Sequence, residues 1–275
     1  PPIMGAAAFL MAETIGESYS SIALRAILPA VLYFAGVFIA VHLEAKKEGL
    51  RGLTKEELPK LIPLLKHFYL MIPLGVLIIL VGLNLFTPAF AAAVAIFFVI
   101  VVGLINHFFN KEHFLTPKRF LECLAAGGQG MITVAAACGI AGAIAGLITV
   151  TGLARTIIDG VVALAGDQII IALFLTMLCC IVLGMGVPTT ANYVIMASMV
   201  APILMSSLSL PVLAAHMFVF YFGIVADITP PVALAAYAGS AIAKSNPLKT
   251  GVTATRLAIT AFIVPYIFAF SPEML

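Results

Sequence analysis

Tryptophan is absent from these 275 residues, and only 9% of them are charged. Soluble domains carry about 25% charged residues, so a water-facing surface is excluded for most of the chain. A net charge of +2 leaves no dense positive field, which argues against a nucleic-acid partner. The four cysteines (Cys123, Cys138, Cys179, Cys180) lack metal-ligand spacing and read as small hydrophobes. The five histidines (His42, His67, His107, His113, His216) are scattered, mostly near segment ends, which suits packing or interfacial roles. Neither an HExxH nor a GxSxG motif occurs, so chemical catalysis has no visible machinery. The opening Pro-Pro-Ile-Met-Gly has no basic n-region and is not a signal peptide. The chain is therefore expected to be a fragment of a longer membrane protein.

What is present is apolar surface. Hydrophobic residues make up 63% of the chain and the mean hydropathy is +1.19. The apolar runs far exceed the ~9–11 residues of a tilted barrel strand and do not alternate, so they are helices. The reading is an all-α polytopic membrane protein. Residues 1–12 are too short to span and resemble the second half of an interrupted helix; residues 21–43 form a full span. Residues 44–60 carry Lys46, Lys47, Arg51, Lys55 and Lys60, which places that linker in the cytoplasm by the positive-inside rule. Within it, Thr54 followed by acids resembles a helix start. Spans are expected at 61–83, 89–107 and 127–150, with 120–126 interfacial. The loop 110–119 holds Lys111, Lys118 and Arg119 and falls on the cytoplasmic side, as two crossings require. A last span is expected at 252–270.

Two segments break this pattern. Residues 169–208 are apolar at both ends, yet their middle reads Leu183-Gly-Met-Gly-Val-Pro-Thr-Thr-Ala-Asn-Tyr. Neither arm alone reaches the roughly 20 apolar residues of a spanning helix. The segment reads as a re-entrant helical hairpin with its tip at Gly184–Thr190, entering and leaving on the outer side. Irregular backbone at such depth needs protein or a water-filled cavity around it. Residues 213–243 are interrupted at Asp227-Ile-Thr-Pro-Pro231, where two prolines remove two backbone donors and force the helix to unwind.

The chain also repeats itself. Pro1-Pro-Ile-Met-Gly-Ala-Ala-Ala-Phe matches Pro230-Pro-Val-Ala-Leu-Ala-Ala-Tyr-Ala. Each is followed by a polar loop and then a span with an early arginine, Arg25 or Arg256. The first loop holds Glu13 and Glu17; the second holds Lys244 and Lys249. Counting crossings places them on opposite sides, which makes the pair an inverted repeat. Residues 1–43 would be the tail of the first copy and 61–270 the second. Transporters commonly have this design, with substrate and ion sites near the midplane at interrupted helices.

If the hairpin packs on the interrupted helix, its tip meets the break. Unwound carbonyls and threonine hydroxyls suit a small hard cation, while half-helix N-termini suit an anionic substrate. Asp227 is the only acid between Asp167 and Glu273, and a carboxylate at membrane depth is costly unless it has a task. It would bind a cation or proton, or else cap free amides beside the break. Thr189, Thr190 and Asn192 open the second arm, where they would cap it or face a ligand. Arg25 and Arg256 are better placed to anchor helices at interfaces than to touch substrate.

Three stretches carry a family resemblance: the Leu183–Tyr193 motif, His216-Met-Phe-Val-Phe-Tyr-Phe-Gly, and Thr229-Pro-Pro-Val-Ala-Leu-Ala-Ala-Tyr. The chain resembles, over essentially its whole length, the large permease subunit of tripartite ATP-independent periplasmic (TRAP) transporters. Its wording is closest to the fused TAXI-type permease, C-terminal portion. The opening Pro-Pro-Ile-Met-Gly-Ala-Ala-Ala-Phe-Leu-Met-Ala-Glu resembles that family's first-repeat motif. The resemblance implies an elevator-type fold and a secondary transporter of the bacterial or archaeal cytoplasmic (inner) membrane. It implies import of an organic acid, either a carboxylate or an acidic amino acid, from a TAXI-type periplasmic substrate-binding protein. It also implies a small-subunit region, fused or separate, and a coupling cation, Na+ or alternatively H+. On that resemblance Gly184, Gly186, Pro188, Thr189, Thr190 and Asn192 would face Asp227, Thr229, Pro230 and Pro231 at a cation and substrate site. Gly184, Thr189, Thr190, Asp227 and Thr229 would be the Na+ ligands. Pro1 and Pro2 would end the matching break of the first repeat, whose hairpin and cation site are expected outside this chain. A pore-forming channel is the alternative, although no filter repeat or ring of like charges is visible. An intramembrane enzyme is the lesser one.

Overall fold

The computed structural model describes residues 7–52, 68–83, 86–109, 116–153 and 168–275, with positions 156, 160 and 163–166. Described elements are all helical: α1 (Ala7–Ile15), α2 (Tyr19–Arg25), α3 (Ile27–Lys47), α4 (Ile72–Gly82), α5 (Pro88–Phe109) and α6 (Pro117–Thr151). There follow α7 (Ile169–Gly184), α8 (Thr189–Met199), α9 (Ala201–Ser207), α10 (Val212–Val225), α11 (Leu234–Ala243), α12 (Pro247–Leu257) and α13 (Ile259–Phe270). Among the described residues, Ile27–Lys47, Ala89–Asn106 and Thr189–Ser207 are long and apolar enough to cross a membrane. The bent pair Pro247–Phe270 is a fourth if taken as one span. The protein is an all-α polytopic membrane protein.

The chain divides into two compact units, one formed by Pro1–Glu17, Ser21–Ala45 and Thr133–Leu275, the other by Ser18–Ser20 and Lys46–Ile132. In the smaller unit α4 and α5 are antiparallel partners. The Tyr69 hydroxyl near the start of one donates to Asn106 near the end of the other. The expected interfacial stretch 120–126 and span 127–150 are one helix, α6, of 35 residues. Gly127 and Gly128 weaken a helix but do not end it. The expected helix start at Thr54, residues 61–67 of the span 61–83, and Lys111 lie outside the described residues, as do Pro1 and Pro2.

In the larger unit everything gathers round α10. Twelve of its fourteen residues are buried, from Leu213 to Gly223 and Val225, as expected of a helix apolar on every side. α7, α8, α9, α13 and α1 pack on it. The α13 face is aromatic: Phe218, Phe222 and Tyr266 meet edge to face, and Tyr221 meets Phe268 the same way.

Three expected continuous segments are broken, and in each case the backbone explains it. The span 21–43 divides at Ala26, because Pro29 cannot supply the N–H that would reach the Arg25 carbonyl. The helix then continues to Lys47, so residues 44–47 are helix rather than linker. The second hairpin arm divides at Val200, since Pro202 cannot reach the Ser198 carbonyl. The last span bends by 41° at Ala258, where Ala261 N–H bonds Ala258 O in a tight 3₁₀ step. The stretches Ala7–Lys47 and Leu234–Phe270 thus share one order: helix, polar loop, short helix ending at or one residue after an arginine, break, longer helix. The two longer helices run antiparallel. Glu44 pairs with Arg256 at 2.9 Å, while Thr260 lies against Gly36 and bonds the Tyr33 carbonyl at 3.4 Å.

Candidate functional site

The hairpin and the break are neighbours through glycines. The turn between α7 and α8 falls at Met185–Pro188, with Gly186 at φ +73°, a left-handed conformation that glycine adopts without penalty. A Cβ on Gly184 would lie 2.9 Å from the Gly223 carbonyl and 3.1 Å from Ala226 Cβ. One on Gly186 would lie 3.9 Å from Val232 Cγ1. The first half of the turn therefore rests on both sides of the break.

The two arms run in opposite directions along α10. On α7, Gly184 abuts Gly223 and Ala226, whereas Met177 Sδ takes the Tyr266 hydroxyl beside Phe218 and Phe222. On α8, Asn192 lies at Gly223 and Tyr193 lies at Phe220 and His216. α7 is parallel to α10 and α8 antiparallel to it. One expectation is corrected: Thr189–Ser207, at 19 residues, is long and apolar enough to span on its own. Thr189, Thr190 and Asn192 open that arm as expected, and of the expected tip Gly184–Thr190 only Met185–Pro188 is non-helical.

At the start of α8 Pro188, not a threonine, holds the cap position and makes no side-chain cap bond. Threonine N-capping, one of the two roles open to Thr189 and Thr190, is therefore not the arrangement found. Thr189 instead lines a small space with Asn192, Tyr193, Phe220, Gly223 and Ile224. The Asn192 amide lies in the cradle left by Gly184 and Gly223, 3% exposed. Its Nδ2 donates to Gly223 O at 2.7 Å, and its Oδ1 has no partner among the described residues. Because the Gly223 carbonyl only accepts, the amide is oriented by that bond.

The break itself is a 3₁₀ turn (Ala226–Ile228), then Thr229, a cis Pro230–Pro231 bond, and Ala233 at φ +37° before α11. Asp227 is half-buried in the first turn of this 3₁₀ element. Thr229 Oγ1 donates to Val225 O at 2.7 Å, leaving its oxygen lone pairs unused by that bond. Thr255 Oγ1 on α12 reaches the Ile228 carbonyl at 2.9 Å and Gly251 O at 3.0 Å. Gly251 admits the Pro230 ring, which a Cβ would meet at 3.1 Å, and Tyr237 OH donates to Pro231 O. α11 and α12 thus both hold the break.

The structure brings Gly184, Gly186 and Asn192 onto the break and its preceding turn, with Thr189 beside Asn192. Pro188 precedes α8 and Thr190 lies in its first turn. Arg25 pairs with Glu17 at 3.6 Å and Arg256 with Glu44 at 2.9 Å. Sequence reasoning gave no site role to Tyr193 or Thr255, and gave His216 only a packing or interfacial one. A histidine inside the uninterrupted apolar run Leu213–Val225 was the available signal.

No curated protein matches the sequence as a relative. The family described as tripartite ATP-independent periplasmic transporter, DctM component, matches residues 1–275. With that match covering every residue, the chain belongs to the DctM component family of tripartite ATP-independent periplasmic transporters.

Proposed function

We propose that this permease, a secondary-transporter component rather than a chemical catalyst, couples import of an organic acid to entry of a cation. DctM components work with a periplasmic substrate-binding protein and a small subunit; a TAXI-type binding protein is the proposed donor here, and the inner membrane the proposed location. The observation that carries the reading is the contact of Gly184 with Gly223 and Ala226. It brings the end of α7 beside Ala226, the residue before Asp227, which is the only charged residue of the interrupted helix. In this reading α7 to α9 form a re-entrant hairpin. Asp227 supplies charge to a sodium ion, and Gly184, Thr189, Thr190 and Thr229 supply neutral oxygens; sodium, a hard ion, favours such a set. The first turn of α8 offers its positive end to the substrate carboxylate. The two similarly broken, antiparallel stretches support the inverted repeat. A channel reading has no support beyond the turn itself, and family membership favours a transporter.

The test is uptake by the reconstituted permease, binding protein and small subunit, with sodium and proton gradients imposed separately. Asp227→Asn is expected to abolish gradient-driven uptake while leaving protein abundance unchanged. Uptake with unaltered cation dependence would remove Asp227 from the coupling site.

A further inference from the structure

Outside the proposed ligands, one buried polar pair is unused. His216, in the middle of α10, is 4% exposed, and its Nδ1 lies 2.9 Å from the hydroxyl of Tyr193, which is 1% exposed. The pair joins α8 to α10 in a region otherwise filled by Phe218, Phe220, Met217 and Met196. A buried polar group in such a place is costly unless bonded, so each member depends on the other.

Tyr193 is the next residue after Asn192. The two adjacent side chains grip α10 at Gly223 and His216, positions separated by two helical turns. A single attachment would let α8 roll about its axis; two attachments at different heights fix both rotation and register. The ring of Tyr193 also stands edge to face on Phe220. The rotation so fixed is the one that leaves Asn192 Oδ1 without a partner beside Thr189.

We infer that Tyr193 and His216 are positioning residues, a latch that holds the first turn of α8 in the orientation presenting Asn192 Oδ1 to the hairpin turn. The latch sets affinity for the coupling cation rather than the maximal rate. This rests on the cation site proposed above. Loosening the latch leaves every ligand in the chain but lets the first turn roll, so the bound state loses preorganisation.

The experiment compares Tyr193→Phe, His216→Leu, the double variant and His216→Gln in the reconstituted transport complex, measuring uptake against sodium concentration. Each single variant is expected to raise the half-saturating sodium concentration about three- to tenfold, the equivalent of one neutral hydrogen bond. Maximal rate and membrane abundance should stay near wild type. The double variant should be no worse than the poorer single one, and His216→Gln, which still accepts from a hydroxyl, should recover most of the affinity. A fall in maximal rate with unchanged sodium dependence, or additive losses, would overturn the latch. Hydrogen exchange of amides 189–194 in Tyr193→Phe separates this inference from the site it rests on. If wild-type uptake ignores sodium, the sodium site fails. Faster exchange then still upholds the mechanical latch, and unchanged exchange sinks it.

Discussion

Gly184 and Gly223 are where the absence of a side chain does most in this protein. Each makes room for the Asn192 amide, and the Gly184 Cβ position lies 2.9 Å from a backbone carbonyl that cannot swing away. Gly184→Ala is expected to lower stability by roughly 1–3 kcal/mol, the usual cost of overpacking, and to depress uptake. Thermal unfolding in detergent and transport assays check both. Gly186→Ala meets no close neighbour, but its φ of +73° alone costs about 1 kcal/mol for a residue with a Cβ. Gly239, inside α11 with nothing within 4 Å, is the control. Alanine there should raise helix stability slightly and leave transport unchanged. The sequence marks Gly184 and Gly186 as unusual because they interrupt an apolar run. It does not distinguish the one needed for close approach from the one needed for its backbone angle, since that depends on what lies opposite.

Among the elements, proline placement decides where helices stop. Pro29 and Pro202 each withdraw one N–H from the ladder and produce single-residue breaks at Ala26 and Val200. Pro230 and Pro231 withdraw two in succession and produce a true gap, held by Thr255, Tyr237 and the space at Gly251. Replacing both with alanine should allow α10 to extend toward α11 and consume the unwound carbonyls. The expected outcome is correct membrane insertion with loss of gradient-driven uptake, read by abundance and transport together. Retained uptake would show that the gap is dispensable. Thr255→Val should have a milder effect, because it removes one hydroxyl donor to Ile228 O and keeps the shape. The gap at Asp227–Pro231 is legible in the sequence as a double proline. The bend at Ala258 is not: no proline removes the N–H expected there, and α3 crosses at Thr260.

For the whole molecule, the larger unit is a buried helix, α10, wrapped by elements from distant parts of the chain. α3 and the α12–α13 pair run antiparallel, tied by Glu44–Arg256 across 212 residues of sequence. That exposed ion pair adds little stability, so the arrangement is held by close packing such as Gly36 against Thr260. Two inverted copies would put their equivalent loops on opposite faces of the membrane. Cysteines introduced at Glu17 and Ser245 should therefore react with impermeant reagents from opposite sides of sealed vesicles. Labelling of both from one side would rule out inversion.

The sequence by itself determined that the chain is helical and membrane-embedded, and where its polar interruptions lie, because hydropathy, proline and glycine act locally. It marked the motif at Leu183–Tyr193 and the double proline, since both are contiguous. Only the tertiary structure decided that both arms of residues 169–208 pack on α10, and that Gly184 abuts Gly223 and Ala226. It alone revealed that Tyr193 bonds His216. Those relations depend on close approach between segments about 25–40 residues apart. A missing Cβ or a buried hydroxyl gains its meaning there from a partner that local pattern does not identify.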